Sequence, residues 1–148
     1  MTSPGPSEHA LAEAVVHRMM ERDAFSRWLG IEVLVIEPRQ CVCRLQVREE
    51  MVNGFGVAHG GVTYALADSA LAFACNTHGR VTMAIENSIG YPMSVQLGDV
   101  LTASAREESA SSRLGFYSVT VRNQADAVVA TFRGTVYRTR REHFPASP

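Results

Sequence analysis

Between Val62 and Cys75 the chain is small and apolar at almost every position, and Asp68 alone carries charge. The Ala- and Leu-rich run predicts a helix. A helix that is apolar nearly all round must be covered on most of its surface. A curved antiparallel sheet wrapped around it covers one side, and a second copy of the molecule could cover more. The expected class is therefore α+β, with a sheet around one long central helix.

The flanking segments can supply such a sheet. Before the helix, "IEVLVIE" reads as a strand turning at Pro38. "QCVCRLQVR" then alternates, with Cys41, Cys43, Leu45 and Val47 on one face. After it, "VTMAIENSIGY" is a strand expected to kink near Gly90 and Pro92. "DVLTASARE", "RLGFYSVTVR" and "AVVATFRGTVYR" follow, separated by turns at "SASS" and "NQAD". These last three form an antiparallel meander. Upstream, Leu11, Val15 and Met19 recur at helical spacing behind a Ser7 cap, and a short helix from Arg22 to Leu29 ends at Gly30. The 148 residues suit one domain, with residues 1–8 and 142–148 expected as disordered tails.

Composition removes several function classes. A formal net charge of -1 argues against a nucleic-acid binder. All 14 basic residues are Arg, so Schiff-base chemistry and a P-loop lysine are excluded. Phosphate on a ligand would have to meet Arg or backbone N–H groups. Cys41, Cys43 and Cys75 have no third and fourth partners at metal spacing. They read as reduced core thiols in a cytoplasmic protein, with no metal expected. No apolar run is long and unbroken enough for a membrane span.

Chemistry concentrates in "MVNGFGVAHGGVTYALADSALAFACN". Gly60 and Gly61 let backbone approach a ligand at the helix start, where the first N–H groups lack internal partners and the dipole is positive. A carbonyl oxygen becoming an oxyanion would be stabilised there. Asp68 in its apolar surround should have a raised pKa, as suits a base. Its alternative is structural, bonded to Ser69 or Thr63. Gly60 and Asp68 lie eight residues apart, about 12 Å along a helix. One carbonyl cannot reach both, so a reaction using both takes them from different chains related by a twofold axis.

This segment, with "IGYPMSVQLGDVLTASARE" and "VATFRGTVYR", resembles the hotdog-fold thioesterases of the phenylacetic acid degradation group, PaaI or PaaD, over about Phe25 to Arg138. The resemblance implies hydrolysis of acyl-coenzyme A thioesters with an aryl-acyl preference, phenylacetyl-coenzyme A or its hydroxylated derivatives. It implies a homodimer with shared sites, a dimer-of-dimers homotetramer, and no cofactor beyond the coenzyme A of the substrate. By position, Asp68 becomes nucleophile or general base, and Gly60 supplies the N–H that polarises the carbonyl. His59 and Asn53 shape the site, and Ser69 positions water or Asp68. Gly61 belongs to the same turn. Phe55, Tyr64 and Phe73 are candidates for the acyl pocket, and Arg113 and Arg106 for the coenzyme A phosphates. His59 could equally brace its turn, and Asn53 could serve turn chemistry. Two other classes remain: a hotdog hydratase or dehydratase, whose His and carboxylate pattern is not found, and a non-catalytic acyl-coenzyme A binder.

Overall fold

The computed structural model describes residues 6–148. Helix α1 (Pro6–Arg22) and the short α2 (Ala24–Leu29) precede strands β1 (Glu32–Glu37) and β2 (Gln40–Gln46). A single 3-10 turn at Glu49–Met51 leads to α3 (Gly60–Asn76). Strands β3 (Arg80–Gly90), β4 (Val100–Ala110), β5 (Leu114–Arg122) and β6 (Val128–Glu142) follow. All strand pairs are antiparallel, in the order β1-β2-β4-β5-β6-β3, so β1 and β3 are the edges.

The local sequence explains the breaks. Asp23 separates α1 from α2 because its carboxylate accepts from the Ser26 N–H at 2.9 Å and from the Ser26 hydroxyl at 2.6 Å. Gly30 ends α2 in the left-handed region at φ 77. The β4–β5–β6 meander is as the sequence indicates. The inward faces of β2, β4 and β5 (Cys41, Cys43, Leu45, Leu101, Val119, Val121) are fully buried against Leu66, Ala70 and Phe73 of α3. Cys41 and Cys43 are core residues, their sulfurs 3.8 Å apart.

The sheet covers one side of α3, and α1 and α2 cover part of another. A strip stays open: Gly61, Tyr64, Ala65, Asp68 and Ala72 are each at least partly accessible. At 100° per residue they occupy one face.

The structure narrows both expected tails at their inner ends. Ser7 and Glu8 lie inside α1, while residues 1–5 fall outside the described residues. At the other end β6 continues to Glu142. His143 is tied down, its N–H donating to the Gly79 carbonyl and its Nε2 meeting Asn76 Oδ1, both at 2.8 Å. The strand persists because β3 starts at Arg80, directly opposite Glu142, and supplies pairing partners.

Candidate active site

At the head of α3, the His59 backbone is extended and its Nδ1 accepts the Gly61 N–H at 2.8 Å. Its N–H donates to the Met51 carbonyl, also at 2.8 Å. His59 therefore caps the helix and braces the turn before it. With Nδ1 accepting, a neutral ring carries its proton on Nε2, on an exposed side chain. Both glycines sit under close neighbours, Gly61 more tightly than Gly60. A Cβ on Gly61 would lie 2.9 Å from His59 Nδ1, and one on Gly60 would lie 3.2 Å from the Tyr91 hydroxyl. That hydroxyl donates to the Gly60 carbonyl at 2.8 Å. Among the described residues the Gly60 N–H makes no hydrogen bond. It stands free at the positive end of a 17-residue helix.

Asp68 sits half-buried on the open strip. Burial pushes its carboxyl above the ordinary carboxylate range, and a hydrogen bond from Asn87 opposes this more weakly. That bond, from Asn87 Nδ2 to Asp68 Oδ1, is 3.0 Å long. The expected partners Ser69 and Thr63 do not make it. Asn87 lies on β3 opposite Gly134 of β6, where a Cβ would come 2.8 Å from Asn87 Oδ1 and 2.5 Å from Leu71 Cδ2. Gly134 thus lets α3 and the Asn87 carboxamide settle onto the sheet. Burial also pushes the Cys75 thiol up to about 12, so it is no rival nucleophile at neutral pH.

The remaining candidates divide. Asn53 spends its carboxamide oxygen on the Phe55 and Val57 N–H groups, at 2.9 and 3.4 Å, and so shapes the turn before the cap. That turn lifts Phe55 to 93% exposure. Tyr64 packs edge-on against Phe132, with centroids 5.4 Å apart. Ser69 is turned away from Asp68 and bonds Ser26 Oγ at 2.9 Å, fixing α2 to α3. Phe73 is 0% exposed in the core, so its expected place in an acyl pocket is corrected. Five residues beyond Asp68, it points about 140° away around the axis. Arg106 is paired with Glu108 at 3.0 Å on β4. Arg113 is exposed in the β4–β5 turn. Asn87 and Tyr91 are site residues that sequence reasoning missed.

Asn87 marks the level of Asp68 on β3, and Tyr91 marks the level of Gly60 just beyond it. The order is reversed, so α3 runs antiparallel to β3. Four extended residues span about 13 Å, which matches the rise of about 12 Å from Gly60 to Asp68. Within one chain the two residues stay that far apart.

A family model described as the thioesterase superfamily matches residues 55–130. The acyl-coenzyme A thioesterase PaaI of Escherichia coli strain K12 is 35% identical over 122 residues, covering 82% of this chain and 87% of its own length. Its solved structure, from the phenylacetic acid degradation operon, matches with a TM-score of 0.89 at 33% identity and covers 90% of this chain and 97% of that one. Human acyl-coenzyme A thioesterase 13 is 31% identical over 114 residues, covering 75% of this chain and 81% of its own. A Streptococcus mutans protein solved with acetyl-coenzyme A bound is 26% identical, with a TM-score of 0.73 over 76% of this chain and 90% of that one.

Proposed function

Because the chain belongs to the thioesterase superfamily, with the hotdog fold and in the PaaI group, we propose that it hydrolyses aryl-acyl-coenzyme A thioesters to the free acid and coenzyme A. It is an acyl-coenzyme A thioesterase. Phenylacetyl-coenzyme A or a hydroxylated derivative is the preferred substrate. The observation that carries this reading is a raised carboxylate on an open helix face, paired in geometry with an unbonded helix N-terminal N–H.

The two halves of the site come from two chains. A twofold axis level with Tyr64 on α3, midway between Gly60 and Asp68, would also be level with Ile89, midway between Asn87 and Tyr91. One operation then brings the glycine of each chain to the aspartate of the other and sets two β3 edges side by side. The unpaired β3 edge, with exposed Met83 and Ile85, supports this contact. So do the small residues Gly61, Ala65 and Ala72, which allow close approach of a second helix. The dimer pairs again into a tetramer, as in the family resemblance.

In each site the thioester carbonyl oxygen faces the Gly60 N–H of one subunit, with His59 Nε2 beside it. Asp68 of the other subunit, its Oδ1 held by Asn87, takes a proton from water as the water oxygen attacks the carbonyl carbon. The tetrahedral oxyanion collapses, the carbon–sulfur bond breaks, and the proton passes to the departing thiolate. Direct attack by Asp68, giving a mixed anhydride that water opens, uses the same ionised carboxylate and the same oxyanion donors. Neither route calls on a metal or a separate cofactor.

Thiol release from a panel of acyl-coenzyme A thioesters tests the proposal. The highest kcat/KM is expected for phenylacetyl or hydroxyphenylacetyl esters. A maximum for long straight chains would overturn the aryl preference, and no thiol release from any ester would overturn the activity.

A further inference from the structure

Of the 14 arginines, five are ion-paired among the described residues and nine are not, and of these nine Arg27, Arg39 and Arg133 lie outside the two clefts described below. Arg44, Arg48, Arg106, Arg122 and Arg138 each stand within ion-pair distance of a carboxylate. Arg18, Arg22, Arg80, Arg113, Arg140 and Arg141 form no ion pair among the described residues, yet all six gather at one end of the molecule. The fold draws them together there. Arg80 opens β3, Arg140 and Arg141 lie at the end of its partner β6, and Arg113 sits in the β4–β5 turn. Arg18 and Arg22 arrive on the last turns of α1, with Arg18 stacked on Phe144, 5.0 Å from the ring centre.

Two adjoining clefts are cut between them. One, of about 550 Å³, is lined by Arg18, Arg22, Arg140 and Arg141; the other, of about 470 Å³, by Arg80, Arg113 and Arg140. Among the described residues Glu142 is the only carboxylate lining either. His143, which also lines the first, is held below its ordinary range by burial and by Arg18 and Arg141, as a positive surround demands. Six guanidiniums facing one carboxylate leave this end of the molecule with an excess of positive charge. Several planar forks in such a surround suit a ligand bearing more than one phosphate.

The cluster also lies at a fitting distance from the chemistry. Asp68 is joined to β3 at Asn87, and Arg80 is seven residues back along that strand, about 23 Å. The pantetheine arm links sulfur to the first phosphorus through roughly a dozen bonds, which extend on the order of 16 Å. The second and third phosphates lie farther out.

We propose that this arginine cluster, centred on Arg80, Arg140 and Arg141, binds the phosphate groups of the substrate's coenzyme A portion while the acyl end reaches Asp68. The assignment rests on the acyl-coenzyme A thioesterase reading. Arg113 joins the phosphate site, and Arg106, neutralised by Glu108, stays outside it.

Kinetics on two esters of the same acyl group test it: phenylacetyl-coenzyme A, and phenylacetyl-pantetheine, which has no phosphate. The Arg140→Gln/Arg141→Gln protein alters only exposed side chains. It should raise KM for the coenzyme A ester at least about tenfold, leave kcat within about twofold, and leave kcat/KM for the pantetheine ester unchanged. Calorimetric titration with adenosine 3′,5′-bisphosphate provides a readout independent of hydrolysis, and binding should weaken by a similar factor. Equal KM and equal nucleotide affinity in the two proteins would overturn the cluster's assignment. So would tripolyphosphate binding lost in the variant while the coenzyme A ester's KM stays fixed, which would give the cluster to another polyanion. A wild-type protein that cleaves neither ester but binds the nucleotide through these arginines would overturn the activity and leave the phosphate site standing.

Discussion

Asn87 Nδ2 donates to Asp68 Oδ1 at 3.0 Å, and this contact ties the one charged residue of the apolar helix to the free edge strand of the sheet. It leaves Oδ2 of the carboxylate available for chemistry. It also stabilises the ionised form against the burial that disfavours it.

Replacing the carboxylate should separate folding from turnover. Asp68→Asn is expected to keep a folded oligomer and lose at least about a hundredfold in kcat, the scale of a missing base. Asn87→Ala removes a hydrogen bond that favours ionisation, so the Asp68 pKa should rise further. The acid limb of the kcat/KM profile should then move to higher pH, with activity recovered on the alkaline side. Near-normal turnover in the first variant, or an unmoved acid limb in the second, would contradict these roles.

The same shift has a signature in stability. The folded chain binds the Asp68 proton more tightly than the unfolded chain, whose carboxyl keeps the ordinary value of 3.8. The stabilisation from this group is therefore fully present below that value and is lost as pH rises through the folded value. Ionised Asp68 weakens the fold at neutral pH, and the uncharged Asn does not. Asp68→Asn should raise Tm at neutral pH, with the gain shrinking in mild acid. A Tm difference that grows on acidification would show that the shift has the opposite sign.

Gly134 should be the least replaceable glycine on the sheet. Ala there would press on Leu71 and on the Asn87 carboxamide at once. A loss of about 1–3 kcal/mol is expected in denaturant unfolding, as for other overpacked sites. The variant that remains folded should also show the shifted acid limb of Asn87→Ala, because the two residues touch. Stability and pH profile both like wild type would mean the strand relaxes away freely.

Much of this was legible before any coordinates. The apolar helix, the six strands, the β4–β6 meander and the Gly60–Asp68 spacing follow from periodicity and helix rise, while the far ends of β4 and β6 run past the segments read as strands. Asn87 was hidden for a physical reason. β3 changes register against β6 between Arg80 and Thr82 and again between Ala84 and Glu86. Each irregularity upsets strict alternation, so no period-2 count says which of Glu86, Asn87 or Ser88 faces α3. Tyr91 lies just past the strand and reaches Gly60 across 31 positions of chain, a contact that no local pattern encodes. Phe73 was a different kind of miss, because its angle from Asp68 on the helix already turned it into the core. The segment from Glu142 looked loose because the pairing partner of Glu142 is the distant Arg80 end of β3.

Subunit mixing tests the shared site most directly. Gly60→Pro removes the free N–H donor, and a proline is tolerated at the first helical position. Gly60→Ala meets the same Tyr91 ring but keeps the donor, so it should retain most activity and report any cost of the contact alone. Asp68→Asn and Gly60→Pro homo-oligomers should each be nearly inactive while folded. In a mixed dimer one site takes both defects and the other takes neither. With random exchange half the dimers are mixed and half of their sites are intact, so activity should return towards about a quarter of wild type. Mixed dimers that form and remain inactive would place Gly60 and Asp68 in separate roles, or within one chain, and would contradict a site built from two subunits.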